Sequence, residues 1–296
     1  MSPALKGAVT AVGGIALLTG NDAVSKFLTE SFPVGQVICL RQAATLLFIV
    51  PYVMLVSGWR ALRIVSWSGQ LTRGALFVVG AALLVSALSL LPLATVITIM
   101  FASPTLIAAF SAPMLAERVG PARWIAIVVG FAGVVIVVRP GATTFEWALL
   151  IPVAAAFSNA LRDLMTRRLV RTETSISILF WSALIVTVAS AATAITGWRP
   201  VSPSAAAWFV AAGLLNTGAH FLLIEAFRMA EAAVVAPMRY TSLIWATIFG
   251  YLVWKELPDA WVLLGAAVIV ASGVYMIRSE SRPRAKIETR LPINHR

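Results

Sequence analysis

Polar side chains inside long apolar segments are the first candidates for chemistry in this sequence, because charged groups are costly in hydrocarbon. Arg239 is the sharpest candidate, since it stands seven residues after Ala232 in an apolar run. Helical rise places it about 10 Å deep. A guanidinium at that depth suits a substrate carboxylate. A structural ion pair with Glu225 or Glu231 is the alternative, and the sequence leaves both open.

The residues around Arg239 predict one wall of a cavity. Met238 and Ser242 are spaced i, i+4 and Met238 and Trp245 i, i+7, so they share a helix face, and Tyr240 lies between them. Such a face accepts aromatic or sulfur-bearing side chains, although ordinary packing is the favoured interpretation for Trp245.

An earlier apolar segment carries Met100, Ser103 and Pro104 at the matching depth. Pro104 removes a backbone hydrogen bond and predicts a kink. The freed carbonyl could bind substrate, or the kink could serve only as a hinge. We count Met100 and Ser103 among the substrate-binding candidates.

Two asparagines, Asn21 and Asn159, lie toward the ends of the first and sixth apolar segments. An amide donates and accepts hydrogen bonds, which suits a zwitterion. An interhelical hydrogen bond is the alternative interpretation.

Three further residues are candidates for ion coupling, namely Asp22, His220 and Glu225. Asp22 precedes Lys26 by four residues, and this spacing also permits an ion pair on one helix face. A lone histidine in a membrane segment more often makes a structural hydrogen bond, so both interpretations remain for His220.

The composition predicts no metal site and no cofactor. The chain has one cysteine, Cys39, and two histidines, His220 and His295. No cysteine–histidine cluster can therefore form. A nucleotide-binding G-x-x-x-x-G-K-[ST] motif is absent, and we find no catalytic constellation, so we do not expect an enzyme.

The elements that position these residues are expected to be membrane helices. The 296 residues are 60% hydrophobic and 12% charged, about half the charged fraction of a soluble domain. The sequence predicts ten apolar segments of a length that spans a bilayer. They are 5–28, 34–57, 69–90, 94–115, 122–138, 145–169, 175–196, 204–227, 232–254 and 260–277.

Lysine and arginine counts predict the orientation. With the N-terminus inside, the inner side and tail receive seventeen of these residues and the outer side four. We therefore expect both termini in the cytoplasm of a bacterium, with the protein in the inner membrane. The net charge of +11 then suits the lipid surface rather than nucleic acid. The tail, 279–296, is basic and is expected to be disordered.

The two halves of the sequence repeat each other. Asp22, Ser25 and Leu28 recur as Asp163, Thr166 and Leu169 at an offset of 141 residues. A second set recurs at an offset of 139: Ser103, Phe110 and Glu117 match Ser242, Phe249 and Glu256. Repeats 1–140 and 141–278 each hold five spans, so the second must be inverted. The sequence thus predicts an all-α membrane protein whose two inverted five-helix repeats surround a central cavity.

The segments from Pro104 to Glu117 and from Ala233 to Gly273, including Lys255-Glu256-Leu257-Pro258, resemble the EamA branch of the drug/metabolite transporter superfamily. The resemblance covers nearly the whole chain and is greatest to amino-acid and metabolite exporters of the YddG type. It implies that helix two, which carries Arg41 and Gln42, is peripheral.

These features predict secondary transport by alternating access. The residues named above are the candidates for substrate binding, ion coupling or the hinge. The resemblance implies export of neutral or aromatic amino acids by a protein that we expect to be monomeric. Export of cationic or amphipathic toxic compounds is the alternative within transporters, and a membrane-embedded enzyme is the alternative from another class.

Overall fold

The computed structural model describes residues 3–115, 121–139, 146–169, 172–230 and 235–280. Within these ranges the chain is helical and contains no β-strand. Eleven α-helices occur among these residues. They are α1 (Pro3–Thr29), α2 (Val34–Tyr52), α3 (Trp67–Leu90), α4 (Leu93–Met100), α5 (Ala102–Leu115), α6 (Pro121–Val138), α7 (Leu150–Leu169), α8 (Ser175–Ala191), α9 (Pro203–Met229), α10 (Ser242–Trp254) and α11 (Ala260–Glu280).

Short helices of other types connect or extend these elements. A π-helix, Val53–Ser57, continues α2. Four 3-10 helices are Trp59–Leu62, Trp147–Leu149 before α7, Ala192–Thr196 after α8, and Ala236–Thr241 before α10. Each predicted apolar segment therefore coincides with helical structure, to within a few residues at either end.

The fourth and ninth predicted segments are the ones that the structure divides. α4 ends at Met100, and α5 begins at Ala102 after a break at Phe101, three residues before Pro104. In the ninth segment the 3-10 helix 236–241 precedes α10, and residues 232–234 lie outside the described residues. Residues 279 and 280 of the predicted tail belong to the last turn of α11. Residues 281–296 also lie outside the described residues.

Hydropathy and exposure identify a multi-pass membrane protein. Among the described residues, six helices are long and apolar enough to cross a membrane, and shorter apolar helices include Trp124–Val138 and Ala260–Tyr275. Large apolar side chains stand on the outer surface, such as Leu55, Val128 and Ile195 at 84%, 66% and 92% exposure. Such a surface is stable against lipid tails rather than water.

The helices pack in a regular set of pairs. α1 lies along α9, α3 lies along α7, α2 packs on α8, α6 packs on α11, and α4 packs on α10. α2 also contacts α9, whereas α3 contacts α8. The largest buried cluster lies between α4, α6 and α11 and includes Leu93, Val96, Ile99 and Ile269.

Glycines permit the closest of these helix contacts. A Cβ at Gly265 on α11 would lie 2.7 Å from the carbonyl oxygen of Gly133 on α6. A Cβ at Gly133 would in turn lie 3.0 Å from the carbonyl oxygen of Gly265. Small residues on both sides therefore bring the two backbones together, the usual way in which membrane helices associate.

A buried carboxylate joins α3 to the segment before α8. Glu173, 8% exposed, accepts hydrogen bonds from the backbone N–H groups of Val65 and Ser66 at 3.2 and 3.0 Å. Gln70 Nε2 and Ser177 Oγ also donate to it. The carboxylate thus serves donors from three segments at one end of the bundle.

Candidate functional site

The ends of α1, α3 and α10 are joined by a cluster that we call the end cluster, comprising Lys26, Glu30, Leu91, Trp254 and Glu256. Lys26 Nζ donates to both carboxylate oxygens of Glu256 at 2.9 Å and to the carbonyl oxygen of Leu91 at 2.9 Å. It also lies 4.9 Å from the centre of the Trp254 ring, and Trp254 Nε1 donates to Glu30. The end cluster thus links the ends of these three helices.

The end cluster corrects one expectation. The i, i+4 spacing permits an ion pair between Asp22 and Lys26, but Lys26 binds Glu256, 230 residues away in the chain. There the Lys26 ammonium group donates to three oxygen atoms, two of the Glu256 carboxylate and one of the Leu91 carbonyl group. Asp22 is left for other partners.

Aromatic rings lie where the end of α4, the 3-10 helix 236–241 and α10 meet α1. The rings of Trp245 and Phe249 stack with centroids 6.3 Å apart, and a Cβ at Gly20 would lie 3.7 Å from the Phe249 ring. Phe101, at the break before α5, makes an edge contact with Tyr240 at 5.3 Å. Aromatic groups thus stand beside α1 at the predicted repeat junction.

A buried polar group lies on the other side of α1, formed by Asn21, Asp22, Ser25 and Arg41, and we call it the α1 polar group. Asn21 Nδ2 donates to Asp22 Oδ1 at 3.3 Å, and Ser25 Oγ donates to the Asn21 carbonyl oxygen at 2.7 Å. Arg41 Nη1, from α2, donates to Ser25 Oγ at 2.9 Å, and its charge interacts with Asp22. The α1 polar group therefore contains one negative charge, that of Asp22, and one positive charge, that of Arg41.

A comparable group lies on α7, where the repeat predicts it. Arg73, from α3, donates through Nε to Thr166 Oγ1 at 2.7 Å and through Nη1 to Ser182 Oγ. Arg162 pairs with Asp163 at 3.0 Å. Thr166 and Asp163 stand in the positions that Ser25 and Asp22 occupy on α1, so each of the two helices carries an aspartate, a hydroxyl group and an arginine from a neighbouring helix.

The remaining predicted site residues are scattered around this junction. Ser103 is buried on α5, one turn after Met100, which packs against the largest cluster. Asn159 Oδ1 lies against Gly80 of α3, because a Cβ there would come within 2.9 Å. Met238 packs beside Ala226 and Val235 on the far side of α1.

Arg239 does not join the α1 polar group. Its side chain is exposed, and it lies in the 3-10 helix 236–241. Ser242 Oγ donates to the Arg239 carbonyl oxygen at 2.8 Å. The buried guanidinium next to α1 is that of Arg41.

His220 is partly buried on α9, the helix that lies along α1. Glu225 follows on the same helix and is partly buried. Coupling roles for His220, Glu225 and Asp22 stay predictions, as does the hinge role of Pro104.

The sequence analysis named Arg41 only on a helix expected to be peripheral, and it did not single out Arg73. Both are charged residues next to or inside apolar segments, and such residues usually face protein rather than lipid. Helix contacts show instead that α2 packs on α8 and α9, which places one of its faces inside the bundle.

Two other kinds of site receive no support from the geometry. A groove of about 700 Å³ between α10 and α11 is lined by apolar residues such as Leu263 and Val270, with no charged side chain to hold a polar ligand. Across the described part of the chain, no three histidine, cysteine or acidic side chains come together in a way that could hold a metal ion.

Comparison with known proteins identifies the family of this chain. The sequence model of the EamA-like transporter family matches twice, at residues 5–139 and 146–278, so the chain belongs to that family. Its members are transporters, and the enzyme alternative is therefore wrong.

Named relatives carry different molecules. The chain is 31% identical to a riboflavin transporter of Rhizobium johnstonii, over 96% of this chain and 95% of that protein. It is 29% identical to an S-adenosylmethionine uptake transporter of Rickettsia conorii, over 95% and 97%. It is 25% identical to a pseudopaline exporter of Pseudomonas aeruginosa, over 88% and 91%.

The fold is also that of a solved protein. A crystal structure superposes on this chain with a TM-score of 0.65 at 20% identity, covering 92% of this chain and 98% of the other. This likeness concerns the fold alone. Together with the family match, it makes this chain a membrane transporter of small molecules.

Proposed function

We propose that the protein is a secondary transporter that exports zwitterionic metabolites, neutral and aromatic amino acids foremost, across the bacterial inner membrane. The α1 polar group is the observation that carries this proposal. It brings the Asp22 carboxylate of α1 and the Arg41 guanidinium of α2 to one stretch of α1, the helix on which Gly20 faces the Phe249 ring. A zwitterion with an aromatic side chain offers the complementary charges and the apolar surface.

Alternating access between two inverted five-helix repeats is the proposed mechanism. The double family match supports two repeats. The helix pairs are consistent with an exchange of halves, since α1 lies along α9 as α7 lies along α3. Five spans in each half require opposite orientations, and exchanging the conformations of the halves would exchange the open side.

In this mechanism we assign the described structure to a state whose outer end is closed by the end cluster. With both termini in the cytoplasm, the ends of α1, α3 and α10 lie at the outer surface. The outer end is therefore closed by Lys26 and Glu256. The corresponding inner residues, Glu117 and the side chain of Arg167, lie outside the described residues.

Charge balance favours a zwitterion over a cation. An exporter of cationic compounds needs a carboxylate without a fixed counter-charge in the membrane, whereas Asp22 has Arg41 beside it. The substrates named for the relatives fit a site that combines aromatic surface with a few polar groups, because S-adenosylmethionine contains an amino acid and riboflavin contains a flat ring system. The relatives include importers and an exporter, so the export direction rests on the resemblance to amino-acid exporters.

Flux into sealed liposomes tests the proposal. Purified protein is reconstituted and given labelled L-tryptophan, L-methionine, S-adenosylmethionine or riboflavin, each with and without an imposed proton gradient. Empty liposomes and excess unlabelled substrate are the controls. We expect saturable exchange of at least one aromatic zwitterion. Folded protein that exchanges none of the four compounds would refute this function.

A further inference from the structure

The α1 polar group has two hydrogen-bonding positions without a partner. Among the described residues, neither Asn21 Oδ1 nor Arg41 Nε finds one, although the two residues are only 3% and 6% exposed. Buried polar atoms are nearly always hydrogen-bonded, and each exception needs an explanation. One of these atoms is an acceptor and the other is a charged donor.

The two atoms belong to one connected group. Arg41 Nη1 donates to Ser25 Oγ at 2.9 Å, and Ser25 Oγ donates to the carbonyl oxygen of Asn21 at 2.7 Å. The Asn21 amide nitrogen donates to Asp22, so the Asn21 oxygen is directed away from that hydrogen bond. A ligand that offered an acceptor to Arg41 and a donor to Asn21 would therefore satisfy both residues together.

We infer that Arg41, Asn21 and Asp22 form a subsite for the aminocarboxylate group of the substrate. The guanidinium of Arg41 binds the carboxylate, and the Asn21 oxygen and the Asp22 carboxylate bind the ammonium group. Charge-assisted hydrogen bonds of this kind are short and directional. The inference rests on the proposed function, because it assigns the polar end of the substrate that the transporter carries.

Other arginines are less suited to this role. Arg73 already uses Nε for Thr166 and Nη1 for Ser182. Arg239 is exposed and lies in the 3-10 helix 236–241 rather than in the α1 polar group. Arg41 alone among these three is buried with an unpartnered nitrogen, and α2 supplies it from a rigid helix rather than from a loop.

Competition with analogues tests the subsite. L-tryptophan, tryptamine, which lacks the carboxylate, and indole-3-propionate, which lacks the ammonium group, compete for exchange in liposomes that hold wild-type protein or Arg41→Gln. Arg41→Lys keeps the positive charge but lacks the planar guanidinium that can donate two parallel hydrogen bonds. Asp22→Asn combined with Arg41→Gln avoids a buried carboxylate without a counter-charge. Arg139→Gln, which changes an exposed arginine that is paired with Asp259, is the matched control. Thermal unfolding in detergent checks that each variant folds.

The subsite predicts a change in selectivity. Wild-type protein should prefer L-tryptophan to either analogue by about tenfold to a hundredfold, the factor that corresponds to one charge-assisted hydrogen bond. Arg41→Gln should lose the preference over tryptamine while binding tryptamine as before. The double variant should also lose this preference, but it should bind tryptamine more weakly, because Asp22 binds the ammonium group. Asn21→Ala should lose the preference over indole-3-propionate. Arg139→Gln should change neither ratio.

The outcomes separate this inference from the proposed function. Equal weakening of all three compounds by Arg41→Gln would indicate a structural role and overturn the subsite. Wild-type exchange of riboflavin without exchange of any aminocarboxylate compound would leave transport intact and also overturn it. Absence of all exchange in folded wild-type protein would instead refute the transport function itself.

Discussion

Glu256→Gln should release the outer end of the bundle. The change keeps the size of the side chain and removes the charge that holds Lys26 Nζ at 2.9 Å. A hydrogen bond to a charged group contributes about 1.5–3 kcal/mol when it is buried. The Lys26 side chain is 9% exposed and that of Glu256 is 30% exposed, so solvent weakens the pair and about 2 kcal/mol is a reasonable loss. A loss of this size changes the closed-to-open ratio by about thirtyfold.

Cysteine labelling measures this ratio. Ala23 lies one turn before Lys26 and is 7% exposed, so Ala23→Cys reports opening of the outer end. The natural thiol, buried Cys39, is removed by Cys39→Ala. In right-side-out vesicles, an impermeant maleimide should label the Glu256→Gln background about thirty times faster than the parent.

A second ion pair at the same end provides the control. Arg139 and Asp259 lie 2.7 Å apart, but their side chains are 36% and 48% exposed, and exposed pairs contribute little. Asp259→Asn also keeps the hydrogen bond that the Val262 N–H group makes to this side chain. Unchanged labelling in Glu256→Gln, or an equal increase in Asp259→Asn, would refute the assignment of the end cluster as the closure. Faster labelling only from the cytoplasmic side would refute the predicted orientation.

Three other predictions follow from the structure. If Asp22 couples transport to protons as well as binding the ammonium group, Asp22→Asn should weaken substrate exchange and abolish accumulation driven by a proton gradient, and an equal partial loss of both would argue against coupling. Glu173→Ala leaves buried donors unpaired and should lower the free energy of unfolding by about 2–4 kcal/mol, measured by unfolding in detergent, whereas exposed Glu146→Ala should change it by less than about 0.5 kcal/mol. Gly265→Ala places a methyl group 2.7 Å from the facing glycine carbonyl oxygen and should cost about 1–3 kcal/mol, while Gly250→Ala, with its nearest contact at 3.6 Å, should be tolerated; equal effects would contradict the packing.

The helices could be predicted closely because the bilayer imposes a simple rule. Spans must be apolar and about 20 residues long, and their ends are marked by turn residues. The break at Phe101 was also signalled by Pro104, which cannot donate to the preceding turn. The family was indicated by particular residues, those from Pro104 to Glu117 and from Ala233 to Gly273, which resemble the EamA branch.

Which charged side chains are buried was harder to predict, because residue type and depth do not tell which face of a helix meets protein. Arg239 attracted attention by its position in an apolar segment, but its side chain is exposed. Arg41 is the buried guanidinium, and its importance depends on contacts of α2 with α8 and α9. No spacing within a single helix encodes those contacts.

What the sequence by itself determined is the membrane-spanning character, the helix boundaries, the family and the presence of Asp22, Asn21 and Lys26 on one helix. These properties depend on local composition and on the length of hydrocarbon that each span must cross. Only helix packing brings Lys26 to Glu256 rather than to Asp22, four residues earlier on the same helix, and brings Arg41 of α2 to Ser25 of α1. The physical reason is that a buried charge selects the partner offering the most hydrogen bonds in three dimensions, and helix packing, rather than chain distance, determines which partners are within reach.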